Sequence, residues 1–278
     1  MKRSFIHDLH SSFTIWFDHT LLQKGEAFTN VSGSLYKMTD PNVSGFNIWG
    51  SPYKQWVYDS SVSGVNIPSG VSSNIGTINR SGNYNILDFE RGRFLTTGSL
   101  SSVSRSYSVK DFNIYTTNKS DQELVFENRY MVNPSYPQVA TGVREDKLIA
   151  PCIFIKIKKF SNKEFTYGGN DMTTVNLRAV IISDDEYKLN SVGNIFVDKK
   201  HTNFLLLDST PINRYGDIKN GYYNYNSTVT SQQSSDKIAH IEEAVFTKLS
   251  QSAVSDKQPD MYIGFLDFNV DVSRWPRG

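Results

Sequence analysis

Cysteine is almost absent from this chain. Cys152 is the single one in 278 residues. A lone cysteine forms no internal disulfide, which excludes the disulfide-stapled secreted domains. Between Pro151 and Ile153 it reads as a small apolar residue opening a strand. A surplus of one charge is missing as well, since 29 basic residues face 28 acidic ones and leave a net charge of +1. Nucleic-acid binders gather a basic surplus on one face. Here the densest basic run, Lys156 to Lys159, holds three lysines and reads as a solvated strand face. No stretch approaches the roughly 20 apolar residues that a bilayer-crossing helix needs. The opening MKRSFIHDLHSSF has no uninterrupted apolar run, so it does not read as a signal peptide. The expectation is a protein made and folded in a cytoplasm, with no membrane partner.

Catalytic signatures are missing too. The glycine-rich text from Gly25 to Gly82 contains no GxxxxGK[ST], and no long helical pattern follows it to point an N-terminus at a phosphate. No GxSxG nucleophile elbow occurs, and nothing positive marks a Ser-His-Asp triad in this serine-rich chain. Five histidines stand at positions 7, 10, 19, 201 and 240 without a zinc spacing. Asp267-Phe268-Asn269-Val270-Asp271 matches the first half of a calcium loop, but Val272 occupies the position that needs glycine. Strand alternation explains those three polar groups equally well. Cofactors and metals are therefore expected to be none, and the chain is not expected to be an enzyme. A glycosidase would need two carboxylates roughly 5–10 Å apart in a cleft, which sequence does not test.

What is present is aromatic and turn-forming. Aromatic residues make up 13% of the chain, with 15 Tyr and 17 Phe among many Ser, Asn, Thr and Gly. Such a mixture suits half-buried strands joined by turns. Residues 11 to 24 read as a helix, with Phe13, Trp16, Phe17, Thr20 and Leu21 on one face and Gly25 as its stop. In LDFERGRFLTT, Leu87 and Phe89 alternate with Asp88 and Glu90, and Arg93 to Thr97 resumes an extended pattern. Between them Gly92 fits the positive φ of a bulged hairpin loop, which leaves Asp88, Glu90, Arg91 and Arg93 on the wet side.

The Asp-Phe pair recurs in Val109 to Tyr115 and in Phe265 to Val272, with phenylalanine inward and the acid outward. Leu124 to Tyr130 and Cys152 to Ile157 are further strands by composition, and Val175 to Ile182 is apolar enough to be central. Ser183-Asp184-Asp185-Glu186 reads as a capping box with Ser183 as the cap, opening a helix over about 184–200 whose last turn carries Lys199, Lys200 and His201. Residues 208 to 236 read as a long polar loop, either mobile or used for contacts, and Tyr215, Tyr222, Tyr223 and Tyr225 favour contacts. Ile238 to Leu249 fits both periods and is read as a strand, because 262 to 272 follows as its pairing partner. The fold class is therefore α+β, mainly β. A single domain over 1–278 carries an antiparallel sheet or sandwich, with an N-terminal helix and one capped helix packed on it.

Three stretches, ILDFERGRFLTT, SYSVKDFNIYTT and TTVNLRAVIISDDEYKLNSVGNIF, together with the closing MYIGFLDFNVDVSRWPRG, resemble the virion structural proteins of large tailed bacteriophages. In outline the chain is similar to their neck, head-to-tail connector and tail-terminator proteins. The resemblance implies a homo-oligomeric ring of about six or twelve copies that joins head to tail. Its neighbours would be portal, other neck, tail-tube or sheath proteins. It would assemble in the host cytoplasm, reside in the virion and lie close to DNA in the channel. Exposed-aromatic reasoning places subunit contacts at Trp16, Phe17, Trp49, Trp56, Tyr222, Tyr223 and Tyr225. The alternative is a receptor- or glycan-binding β module of a virion, its aromatic loops stacking on sugar faces.

Overall fold

A computed structural model describes residues 5–39, 45–67, 69–81, 84–128, 130–132, 148–164, 169–207, 223–232, 238–250 and 261–274. The chain is mainly β, and its strands form two sheets with separate cores.

Helix α1 (Phe5–Gly25) begins at Phe5, ahead of the expected start at residue 11. The Ser12 and Thr14 hydroxyls donate back to the carbonyls of Asp8 and His10 at 2.7 and 2.8 Å, so neither stops the helix. Its apolar face buries Leu9, Phe13, Trp16, Phe17 and Leu21.

The first sheet holds β1 (Phe28–Met38), β2 (Asn47–Gly50), β3 (Gly70–Ser73), β4 (Gly76–Asn79), β5 (Asn85–Asp88), β6 (Arg93–Thr96) and β7 (Val103–Lys110). Its order is β4-β3-β7-β1-β2-β6-β5, antiparallel throughout. The sheet bends around Leu35, Trp49, Trp56, Leu87, Phe94 and Tyr107. The LDFERGRF stretch is the β5–β6 hairpin, with Asp88 opposite Arg93 and Gly92 at φ +60°. Gly92 also admits the Tyr53 carbonyl, which would sit 2.4 Å from a β-carbon at that position. Arg93 corrects the expectation of a wet side, because it is buried in the β2–β6 pairing.

The second sheet runs β13 (Asn203–Leu205), β14 (Ile238–Lys248), β15 (Tyr262–Arg274), β12 (Asp171–Ser183), β11 (Cys152–Glu164) and β8 (Asn113–Thr116). All neighbours are antiparallel except β8 and β11, which are parallel. β12 is central, as its apolar text suggested, and β14 is a strand. One face buries α1 and helix α2 (Glu186–Val197) over Ile153, Leu177, Phe268 and Ile241. At one end of the other face, Leu124 and Val125 cover Phe154, Val180 and Ile263, next to a short parallel pair of β9 (Tyr130–Val132) and β10 (Leu148–Ala150).

Four local expectations change. Val109 to Tyr115 is two strands, because β7 ends at Lys110 and β8 starts at Asn113 in the other sheet. Phe112 is nevertheless buried and Asp111 half-buried, so the inward-outward rule survives the crossing. Leu124 to Tyr130 is not one strand: Glu123–Glu127 is a π-helical turn. Ser120 and Glu123 hold its start reciprocally, with Ser120 N donating to Glu123 Oε2 at 2.7 Å and Glu123 N donating to Ser120 Oγ at 3.2 Å. Helix α2 is capped by Asp185, whose carboxylate accepts from Tyr187 N at 2.8 Å. Ser183 shapes the turn before it, and Lys199, Lys200 and His201 follow the helix end at Val197. Finally, residues 225–232 of the expected loop form α3 (Tyr225–Gln232), whose start is held by Asn224 Oδ1 accepting from Ser227 N at 2.8 Å. Residues 208–222 and 233–236 lie outside the described residues. Among the described residues no helix is long and apolar enough to cross a membrane.

Candidate functional site

The aromatic residues expected at a subunit surface are mostly inside a single chain. Phe17 stacks on Phe196 with ring centroids 3.8 Å apart, and Trp16 stacks on Phe204 at 5.6 Å. Trp49 and Trp56 are buried in the core of the first sheet, where Trp56 Nε1 donates to Ser51 Oγ at 3.0 Å. Tyr225 is buried against His19, centroid to centroid 4.2 Å. Tyr223 is half-buried between both cores, and Tyr222 lies outside the described residues. The exposed-aromatic premise thus fails for Trp16, Phe17, Trp49, Trp56 and Tyr225. Helix and strand periodicity carries large rings into a core as readily as it presents them outside.

His19, Asp59 and Ser61 do come together. His19 Nδ1 donates to Asp59 Oδ2 at 2.7 Å, and Ser61 Oγ donates to Asp59 Oδ1 at 2.6 Å. A serine nucleophile needs the imidazole nitrogen that the carboxylate does not use. Here Ser61 Oγ approaches the same Nδ1, at 3.5 Å, and its proton goes to the carboxylate. The group is wired as a brace. Asp59 Oδ1 also accepts from the backbone amides of Ser61 and Tyr225 at 2.9 and 3.2 Å. Burial pushes this carboxyl upward, but the donors from His19, Ser61 and Tyr225 outweigh it and hold the pKa below the ordinary value. One acid in the text WVYDSS thereby ties α1, the 51–61 loop and α3 together. The sequence showed no sign of it.

The remaining chemistry-bearing residues are also engaged. Burial pushes the Cys152 thiol upward, away from thiolate chemistry. Asp267 is paired with Arg178, Asn269 contacts Glu242, and Asp271 accepts from Thr174, so the half calcium loop is a polar strand face. No cluster of metal-ligating side chains occurs among the described residues. His10 Nε2 donates to the Ile155 carbonyl at 3.1 Å, and burial lowers its pKa.

The second sheet offers a different kind of site, at its borders. β8 pairs with β11 only along 152–155, and among the described residues no strand pairs with that border from 156 to 164. β13 pairs with β14 only along 238–240, and among the described residues no outer strand pairs with 242–248. The registers through β12 and β15 put these open halves at opposite corners of the sheet. The β11 half carries exposed Lys158, Lys159 and Lys163 and one exposed acid, Glu164, while Lys156 is buried against Asp121 at 2.5 Å. The run 156–159 is thus solvated at only part of its length. The β14 half carries exposed Glu242 and Glu243, and at its far end exposed Lys248, which is paired with Glu186 at 2.9 Å. Beside the β11 half, a groove of about 480 Å³ is lined by His7, His10, Lys158, Lys159 and Phe160, with no acid among its lining residues. No protein-family model and no curated protein sequence matches this chain.

Proposed function

We infer that the chain is a ring-forming structural protein of a bacteriophage virion, acting in the neck or upper tail as a connector or tail terminator. The virion assignment rests on the resemblance in strand text given above. The observation that carries ring formation is the pair of open half-borders on the second sheet. One carries a surplus of lysines over Glu164 and the other the acids Glu242 and Glu243 with Lys248 tied to Glu186, and they lie at opposite corners. β11 and β14 run antiparallel to each other through the intervening strands, so β11 of one copy meets β14 of the next in antiparallel order. A contact between two different patches repeats head to tail, and it closes into a ring when the rotation allows. The lysines and the bulge between Ile157 and Lys159 discourage pairing with an arbitrary strand. A matched acidic border offsets that protection. Neighbouring neck, portal, tail-tube or sheath proteins would then meet the ring's two faces.

Mass photometry of the purified protein across a concentration series tests this reading. A closed species of about six or twelve copies is expected. The pair Lys158→Glu and Lys159→Glu should break it, and adding Glu242→Lys with Glu243→Lys should restore it. A monomer at every concentration, or assembly indifferent to these reversals, counts against the proposal. A stable trimer would favour a receptor-binding module. The glycan-binding alternative drew on tyrosine- and tryptophan-rich loops; buried Trp49 and Trp56 offer no face to a sugar, and Tyr215 and Tyr222 lie outside the described residues.

A further inference from the structure

The two open borders of the second sheet carry matching backbone patterns. At β11 the Ile155 carbonyl accepts from Thr117 N, so Ile155 turns its backbone groups outward. Ile155 faces Ala179 in β12, and past the bulge Phe160 and Asn162 face Val175 and Thr173, an even number of steps along. Backbone direction repeats every second residue, so Phe160 and Asn162 also turn outward. At β14, Ile241 exchanges backbone bonds outward with Thr202 and His201, while Leu249 N turns inward to the Ile263 carbonyl. Ala244, Phe246 and Lys248 therefore turn outward.

On both borders these outward residues have their side chains on the helix-covered face. Phe160 is in line with buried Val175, and Phe246 lies on that face against Gly193 and Gly264. Directly opposed residues share a face, so two such borders join with their helices on the same side. Phe160 opposite Phe246 uses both open halves. It sets Ser161 opposite Val245, Asn162 opposite Ala244, and Lys163 opposite Glu243. A shift of two residues one way drives Lys163 against Ile241, whose border is already taken by Thr202 and His201. A shift the other way moves Lys163 from Glu243 to Val245.

This register brings Lys248 of the next copy beside Lys158. Within its own chain Lys158 has Asp267 at 3.7 Å, and Lys248 has Glu186 at 2.9 Å. Glu186 opens α2 on the helix-covered face, and its bond to Lys248 holds it over the β14 border. Across from it lies the groove of about 480 Å³ lined by His7, His10, Lys158, Lys159 and Phe160, which has no acid of its own.

We propose that this groove is a composite site completed by a second copy of the chain. The acid it lacks is Glu186 of the next copy, delivered by strand pairing with Phe160 opposite Phe246. The inference rests on the ring reading above and adds to it a register and a contributed side chain. Phe160, 58% exposed in the single chain, gains the neighbouring Phe246 as cover.

Cysteine pairs test the register, and buried Cys152 does not compete. Ser161 and Val245 form a non-hydrogen-bonded pair in it, with α-carbons about 4.5 Å apart, within disulfide reach. The double variant Ser161→Cys with Val245→Cys, mildly oxidised in vitro, should give a ladder of cross-linked copies on a denaturing gel. Ser161→Cys with Glu243→Cys, or with Thr247→Cys, reports the two shifted registers and should give none. Glu186→Lys loses only an exposed ion pair within the chain, so the melting temperature should hardly move. Its concentration for half-assembly in mass photometry should rise roughly fivefold or more. Rings that cross-link through a shifted pair, or through no pair, overturn the register and leave ring formation standing. Half-assembly unchanged in Glu186→Lys overturns the composite groove. A chain that stays monomeric at every concentration removes the ring reading and this inference together.

Discussion

Lys110 Nζ lies 2.8 Å from Asp18 Oδ2, with both side chains almost fully buried, and the pair joins α1 to the last residue of β7. The ammonium also lies 4.4 Å from the Tyr58 ring centroid. Burial, with Asp18 adding to it, raises the Tyr58 pKa well above its ordinary value, so that phenol stays protonated beside the pair.

Removing one partner strands a buried charge. Lys110→Met should cost about 3–5 kcal/mol in chemical denaturation. The double variant Asp18→Leu with Lys110→Met should cost clearly less, since it leaves no charge behind. A single-variant loss below about 1 kcal/mol would show that the pair is not closed as described.

Asp59 gives a pH prediction. Its folded-state pKa is depressed, so its contribution is fully present above the unfolded value and fades as pH falls through the folded one. Asp59→Asn should therefore destabilise at neutral pH. The gap to wild type should narrow below pH about 4, as the wild-type carboxylate protonates. Urea midpoints at pH 7 and pH 3 check the sign, and a gap that widens in acid would contradict it. Asp88 shifts the other way, raised by burial against the pull of Arg91, which is why the variant comparison is needed to isolate Asp59.

Gly92 is the third test. Gly92→Ala puts a side chain at φ +60° and against the carbonyls of Tyr53 and Lys54. The loss should exceed about 1 kcal/mol, read as a lower thermal midpoint with far-UV dichroism unchanged below the transition. An unchanged midpoint would mean that the hairpin loop relaxes freely.

The hairpin was legible in the sequence because period and turn chemistry are local. So were the apolar stripe of α1, the central β12, and the inward phenylalanines at 89, 112 and 268. Other features were not, because they depend on tertiary position. The alternation from Val109 to Tyr115 runs unbroken through a change of sheet, and alternation does not say which neighbour a strand pairs with. Trp49 and Trp56 sit in turn-rich text that looks exposed, yet the bend of the first sheet closes over them. The Ser120–Glu123 pair was a readable capping box, hidden by the apolar run after it. Helix α3, YNSTVTSQ, has no apolar stripe at all and rests on its Asn224 cap and the buried ring of Tyr225. Arg105 sits at an inward position of SVSRSYSV, where alternation does predict burial, but no local rule announces a guanidinium with no hydrogen-bond partner among the described residues.

The passage from β7 to β8 has a mechanical meaning. Only Asp111 and Phe112 separate the sheets along the chain, and each side of the step is pinned: Lys110 N donates to Gln55 O, Asp111 N to Ala27 O, and Asn113 N to Pro151 O. A joint so short has no slack. A push on the first sheet reaches the second as displacement, without a hinge to absorb it, so the two cores answer a load as one beam.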